Sequence, residues 1–137
     1  MDNIEIADTG LIVAFLSRRD PFHDWALRGF RNHAPFLTCD VVLAEAGSFF
    51  PDPVGLFKLV SRGDLALDPE FVLAQHLPRV SALVSKYTDR PMDIADACLV
   101  RMAEIHSNSR VWTVDTNDFQ TYRKNEREPV PCVFPDS

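Results

Sequence analysis

The sequence predicts an α/β fold organised around a parallel sheet, and three observations carry that prediction. Short apolar runs of strand length alternate with longer stretches of helical periodicity. Asp and Pro stand together at the entrances of several helical stretches. The chain has 137 residues, 46% of them apolar and 25% charged, the ordinary composition of one packed domain, expected to span 1–137. No repeat, linker or low-complexity tract interrupts it.

Taken in order, Ile4-Glu5-Ile6-Ala7 reads as a short strand, followed at once by an apolar helix through about Ser17. Asp20-Pro21 reads as a helix start, with Asp as N-cap and Pro at the first helical position, and Phe22, Trp25, Ala26 and Phe30 follow at helical spacing. Ala34 to Cys39 is a second strand, and Asp40 caps a strongly apolar helix running to about Phe50. Pro51 and Pro53 end that helix, before a short one around Val54 to Val60. Phe49, Phe50, Leu56 and Phe57 cluster about these prolines and read mostly as core, or else as an apolar surface for a partner helix. Gly63 to Leu67 offers a further strand, after which Asp68-Pro69 opens a helix toward Tyr87 with a kink or break at Pro78. Pro91-Met92-Asp93 opens a helix to about His106. After a turn at Ser107-Asn108-Ser109, Arg110 to Val114 is a strand, and Val130 to Phe134 is a late, Pro-flanked edge strand. A parallel sheet places its chemistry beyond the carboxyl ends of its strands.

Charge and compartment narrow the function classes. Lys plus Arg number 14 against 20 Asp plus Glu, a net charge of -6 that counts, on bulk electrostatics, against nucleic-acid binding. The start, Met1-Asp2-Asn3-Ile4-Glu5, has no basic segment of the kind that opens a signal peptide. The longest clean apolar run, Leu11 to Leu16, falls far short of the ~20 residues of a membrane span. Cys39, Cys98 and Cys132 are odd in number and widely spaced, fitting small buried hydrophobes better than disulfides or a zinc site. The expectation is a cytoplasmic chain with no membrane association.

Several carboxylates stand in apolar sequence, where an ionised side chain needs a reason. Glu45 sits in Val41-Val42-Leu43-Ala44-Glu45-Ala46-Gly47-Ser48-Phe49-Phe50, a segment apolar nearly all round and so expected to be buried on most sides. Either Glu45 rides a narrow solvent stripe, or a cation or hydrogen-bond donors meet it. Asp8 fits a helix cap at a strand-to-helix turn, with Thr9 and Gly10 as turn residues. Asp93 and Asp96, three residues apart, share a helix face; Asp93 reads as the N-cap, whereas Asp96 is embedded in Ile94-Ala95-Asp96-Ala97-Cys98-Leu99. Asp115 ends the strand Val111-Trp112-Thr113-Val114 and Asp118 follows it; one of the two reads as a turn former or cap. Asp8 and Asp115 fall at the carboxyl ends of strands, and Glu45 and Asp96 early in helices that start at that end, so the four face one crevice. Clustered carboxylates repel one another unless cations neutralise them, and hard oxygen ligands select Mg²⁺ or Mn²⁺. Two such ions about 4 Å apart activate a water and stabilise the leaving oxygen of a phosphodiester. The residues point toward metal-dependent phosphoryl chemistry.

Asp8-Thr9-Gly10-Leu11, Leu43-Ala44-Glu45-Ala46, Met92 to Val100, and Trp112 to Phe119 with Tyr122-Arg123 behind it resemble, in this order, the four acidic motifs of PIN domains, most closely those of VapC-type toxins of bacterial toxin–antitoxin pairs. The resemblance covers almost the whole chain. It implies a three-layer α/β/α sandwich with a central, mostly parallel sheet, and a Mg²⁺- or Mn²⁺-dependent endoribonuclease. Asp8, Glu45, Asp96 and Asp115 fall on the catalytic and metal-binding quartet. Thr113 matches the hydroxyl residue often preceding the last acid, and Asp93 and Asp118 match supporting acids. Asp8, Asp96 and Asp115 would hold the principal metal, while Glu45 would orient the water or join a second site. The family also implies RNA as substrate, a cognate antitoxin and a homodimer.

Competing constellations fare worse. His23, His33, His76 and His106 show no HxxxH spacing, and no GxxxxGK[ST] or GxGxxG occurs. A receiver domain needs an adjacent acid pair after the first strand and a Lys after a late one; here Thr9 follows Asp8, and no Lys follows Val114. A non-catalytic PIN-like scaffold that only binds a protein partner is the alternative to the nuclease. Arg90, Arg123 and Lys124, with Arg18-Arg19, are candidates to hold phosphates, solvated surface charge being the other reading. Setting aside the six motif acids leaves 14 of the 20 carboxylates, equal to the 14 Lys plus Arg. The acid excess is therefore what a carboxylate metal site would produce.

Overall fold

The alternation seen in the sequence becomes a five-stranded sheet with helices on its faces. The structure, a computed structural model, describes residues 3–135; Met1 and Asp2, on which the reading of the chain's start partly rests, lie outside them, as do Asp136 and Ser137. β1 (Ile4–Ala7) leads into α1 (Thr9–Leu16) and α2 (His23–His33), and β2 (Phe36–Thr38) into α3 (Asp40–Gly47) and α4 (Val54–Ser61). β3 (Leu65–Leu67) precedes α5 (Leu73–Lys86) and α6 (Ile94–Ile105), and β4 (Ser109–Trp112) precedes α7 (Thr116–Thr121). A small antiparallel hairpin, β5 (Arg123–Lys124) and β6 (Glu128–Pro129), comes before the last strand, β7 (Cys132–Val133).

The sheet runs β3-β2-β1-β4-β7 and every pair in it is parallel. β1 lies at its centre, with Ile4 opposite Ser109 and Ala7 opposite Trp112. Ile6, Ala7, Phe36, Leu65 and Val111 have no exposed surface, as expected of strands covered on both faces. The Trp112 ring packs against Trp25, Phe36 and His33, while Ala97 to Val100 of α6 are fully buried. Gly29 is required beneath the Trp112 ring, because a Cβ there would lie 2.8 Å from its edge. The result is the expected three-layer α/β/α sandwich.

Several boundaries differ from expectation for identifiable reasons. Asp20 does not cap α2: its carboxylate accepts the Phe22 amide at 2.8 Å, closing a turn, and the helix starts three residues later at His23. Asp68-Pro69 behaves alike, with Asp68 accepting the Glu70 amide at 2.9 Å and α5 delayed to Leu73. Asp40 is the first residue of α3 rather than its cap, a position taken by Cys39, and the helix stops at Gly47. Pro78 neither breaks nor ends α5; Ala74 and Pro78 are both exposed, so water can meet the carbonyl that the ring deprives of a donor. Helix α7 and the hairpin were not anticipated. α7 is six mostly polar residues, and the hairpin turns through Asn125 and Glu126 at φ 48° and 73°, without the glycine that announces such turns. Cys39 and Cys98 are buried as expected, and Cys132 is half-buried.

The largest correction concerns the apolar cluster at Pro51 and Pro53. Leu56 is core, but Phe49 is 61% and Phe57 55% exposed. α3 buries only Val42 and Ala46 completely, so it rides at the surface instead of being enclosed, and Glu45 is exposed. Leu43, Leu56, Phe57 and Leu67 border a shallow apolar groove of ≈ 440 Å³ between α3 and α4.

Candidate active site

The carboxyl end of the sheet holds the acids. Asp8 follows β1 and caps α1; one of its oxygens accepts the Thr9 amide at 2.7 Å, and the other accepts the Thr113 hydroxyl at 2.6 Å. Gly10 lets α1 start this close to the end of β4, since a Cβ at that position would lie 2.5 Å from a Val114 methyl. Thr113 also accepts the Asp115 amide at 3.0 Å, so one buried hydroxyl ties Asp8 to the backbone of Asp115. Asp115 caps α7 without using its carboxylate as a cap, which leaves both oxygens for another partner. Asp93 is the N-cap of α6, accepting the Asp96 amide at 2.8 Å. That cap turns the Asp96 side chain inward, where it accepts the Tyr122 hydroxyl at 3.0 Å.

Asp8, Asp96 and Asp115 each present an oxygen within 4.8 Å of the others. Glu45 is not in that trio but borders the same cavity, and its carboxylate accepts the Thr9 hydroxyl at 2.6 Å. The cavity is ≈ 310 Å³ and is lined by Asp8, Glu45, Asp93, Asp96 and Asp115, with Asp20 at its edge. Asp118 lies half-exposed beyond it, 3.4 Å from Arg90. The solvent-stripe and crevice readings of Glu45 thus both apply: the side chain is exposed, and it faces the acids.

Crowding acids at a dry strand end has an electrostatic consequence. Burial, helped by the charges of Asp115 and Glu45, pushes the Asp8 carboxyl up to about 7 despite the bonds from Thr113 and Thr9. Asp96 is likewise pushed up to about 7, by burial and then by Asp93 and Asp8, against the opposing bond from Tyr122. Asp115 reaches solvent yet is also raised, by partial burial and then by Asp118, Asp93 and Glu45. The Tyr122 phenol is raised by burial and by Asp96, so it stays a donor. An all-oxygen donor set of this closeness, with carboxyls that resist ionisation alone, has the chemistry a hard divalent cation requires, and Asp8, Asp96 and Asp115 are the side chains that could hold one.

The basic candidates are placed elsewhere. Arg90 pairs with Asp118; Arg123 turns its guanidinium onto the carbonyls of Gln120, Thr121 and Tyr122 at the end of α7; and Lys124 is buried, 3.5 Å from the Ala103 carbonyl. Among the described residues, no Lys, Arg or His lines the acid cavity. The structure also assembles a group that sequence spacing does not reveal. The His106 ring donates to buried Asp68 at 2.7 Å, with its other nitrogen 3.4 Å from Glu70. His106 stands 38 residues from Asp68, so no local pattern announces the contact.

The chain is thus a parallel three-layer α/β/α fold with acids gathered at the carboxyl end of its sheet. Among solved structures, the chain matches VapC20 of Mycobacterium tuberculosis, described as a toxin that cleaves the sarcin–ricin loop, with a TM-score of 0.70 over 83% of this chain and 93% of that one at 15% identity. The likeness is one of fold. No known family's sequence profile matches the chain, and no curated protein matches it.

Proposed function

We propose that this chain is a Mg²⁺- or Mn²⁺-dependent endoribonuclease, the toxin of a toxin–antitoxin pair. The observation that carries the reading is the trio Asp8, Asp96 and Asp115, three carboxylates within 4.8 Å on a fold shared with an RNA-cleaving toxin. When bound, a divalent ion supplies Lewis-acid charge that stabilises a phosphodiester as its bond is broken. The protein's own contribution is placement. Thr113 and the Thr9 amide fix the Asp8 carboxylate, Tyr122 fixes one oxygen of Asp96, and Asp115 keeps both oxygens available. Glu45, held by Thr9 through one oxygen, has the other free to orient a water and accept its proton. Asp93 supports Asp96 through the helix cap, and Asp118 supports the site through its charge. Arg90 remains the exposed cation nearest in sequence to the motif acids for an incoming strand, whereas Arg123 and Lys124 are engaged within the fold.

A cognate antitoxin and a homodimer belong to the same reading. The apolar groove bordered by Leu43, Leu56, Phe57 and Leu67 is the surface we assign to an antitoxin helix. No helix among the described residues is long and apolar enough to cross a membrane, in keeping with a cytoplasmic site of action.

The decisive test combines purified protein with cells. With Mn²⁺, the wild type should cleave RNA, and EDTA should stop it; Asp8→Asn and Asp96→Asn should lose at least ~10³-fold in rate while keeping the circular dichroism of the wild type. Mapping RNA 5′ ends after induction of wild type and Asp8→Asn identifies the target. EDTA-insensitive cleavage that survives both substitutions overturns the mechanism. No Mn²⁺ binding in calorimetry turns the reading to a protein-binding PIN-like scaffold.

A further inference from the structure

Three of the ten phenylalanines are exposed: Phe22, Phe49 and Phe57. Phe57 belongs to the apolar groove, whereas Phe22 and Phe49 line the acid cavity, reaching it from two different turns. Their backbones are fixed. The Phe22 amide donates to Asp20 at 2.8 Å and its carbonyl accepts from Ala26 at 3.0 Å; the Phe49 amide donates to the Ala46 carbonyl at 3.2 Å. The two residues remain 36% and 61% exposed. Two aromatic faces at the mouth of a charged cavity do little for the core, so their value lies in what enters that cavity. A phosphodiester brought to Asp8, Asp96 and Asp115 meets no cationic side chain on the cavity wall among the described residues. Beyond the metal-held phosphate, what an incoming strand offers these walls is the flat apolar face of its bases.

We propose that Phe22 and Phe49 form a stacking platform for unpaired nucleobases flanking the scissile phosphate. The proposal rests on the ribonuclease reading above. Stacking on aromatic rings tolerates any base, because every base has a π-face, and it is denied to a duplex, whose base faces are already covered. Recognition of this kind positions the strand while leaving the choice of phosphate to the metal-binding acids.

The test uses the full chain with Mn²⁺ and a random-sequence single-stranded RNA pool, beside the same pool annealed to its complement. Phe22→Leu and Phe49→Leu should each raise KM for the single-stranded pool about tenfold with kcat and Mn²⁺ affinity unchanged, and Phe49→Trp should keep the wild-type KM. Fluorescence of 2-aminopurine RNA bound in the Asp8→Asn background should be quenched with both rings present, and far less when both are Leu. The duplex should resist cleavage. An unchanged KM in the Leu variants, a loss confined to kcat, or a duplex cut as fast as the single strand overturns the platform; an unchanged KM would leave the rings to a protein partner. Absence of Mn²⁺-dependent cleavage by the wild type, or its persistence in Asp96→Asn, overturns the ribonuclease reading itself and the platform with it.

Discussion

Both oxygens of Asp8 accept hydrogen bonds, from the Thr9 amide and the Thr113 hydroxyl, and still the carboxyl sits at about 7 instead of 3.8. Desolvation outweighs two good donors there, which makes Asp8 a destabilising residue in the metal-free protein. The sign of its pH dependence follows. Between 3.8 and about 7 the folded chain holds a proton that the unfolded chain releases, so the destabilisation due to Asp8 is absent below about pH 4, grows as pH rises and is complete above about 7. Asp8→Asn should therefore raise the metal-free Tm at pH 8 and leave it nearly unchanged at pH 4.5, as read by differential scanning calorimetry. Tyr122 works in the opposite direction, since its hydroxyl favours the ionised form of Asp96. Tyr122→Phe keeps the ring packed against Tyr87 and Phe119 and removes only that bond. It should weaken Mn²⁺ binding about tenfold in calorimetry, because a hydrogen bond to a charged group contributes about 1.5–3 kcal/mol.

At the scale of elements, the site depends on how closely α1 and the end of β4 approach. Gly10 stands at their junction, where a methyl group would drive into Val114, the residue between Thr113 and Asp115. Gly10→Ala should lower stability by about 1–3 kcal/mol in urea titration and also reduce cleavage, because the displaced strand end carries two site residues. Much at this scale was legible in the chain. The strand Ile4–Ala7, the helix after Asp8, the helix opened by Asp93 and the short helix after Pro53 lie where periodicity and caps put them. Asp20-Pro21 and Asp68-Pro69 were misleading because an Asp carboxylate two residues before an amide closes a turn as readily as it caps a helix. α7 and the hairpin were hidden because two-residue strands and a six-residue polar helix carry too few side chains to display a period.

For the whole molecule, protons and a divalent cation compete for the same carboxyls. Mn²⁺ should raise Tm, and by more at pH 8 than at pH 6, where protons already occupy Asp8 and Asp96; a free concentration of 100 times Kd corresponds to about 2.7 kcal/mol. Equal stabilisation at the two pH values would argue against a site on these acids. The sequence by itself determined the parallel α/β architecture, the positions of the candidate acids and the net charge of -6, because periodicity, caps and composition are local or additive properties. Tertiary structure alone decided which acids converge: Asp8, Asp96 and Asp115 within 4.8 Å, with Glu45 on the same cavity wall and held by Thr9. It also decided that Lys124 is buried and that Phe49 and Phe57 face solvent rather than the core. An isolated residue type states what a side chain is able to do. Whether it meets water, a charge or another ring depends on contacts between segments far apart in the chain, and those exist only once the sheet has assembled.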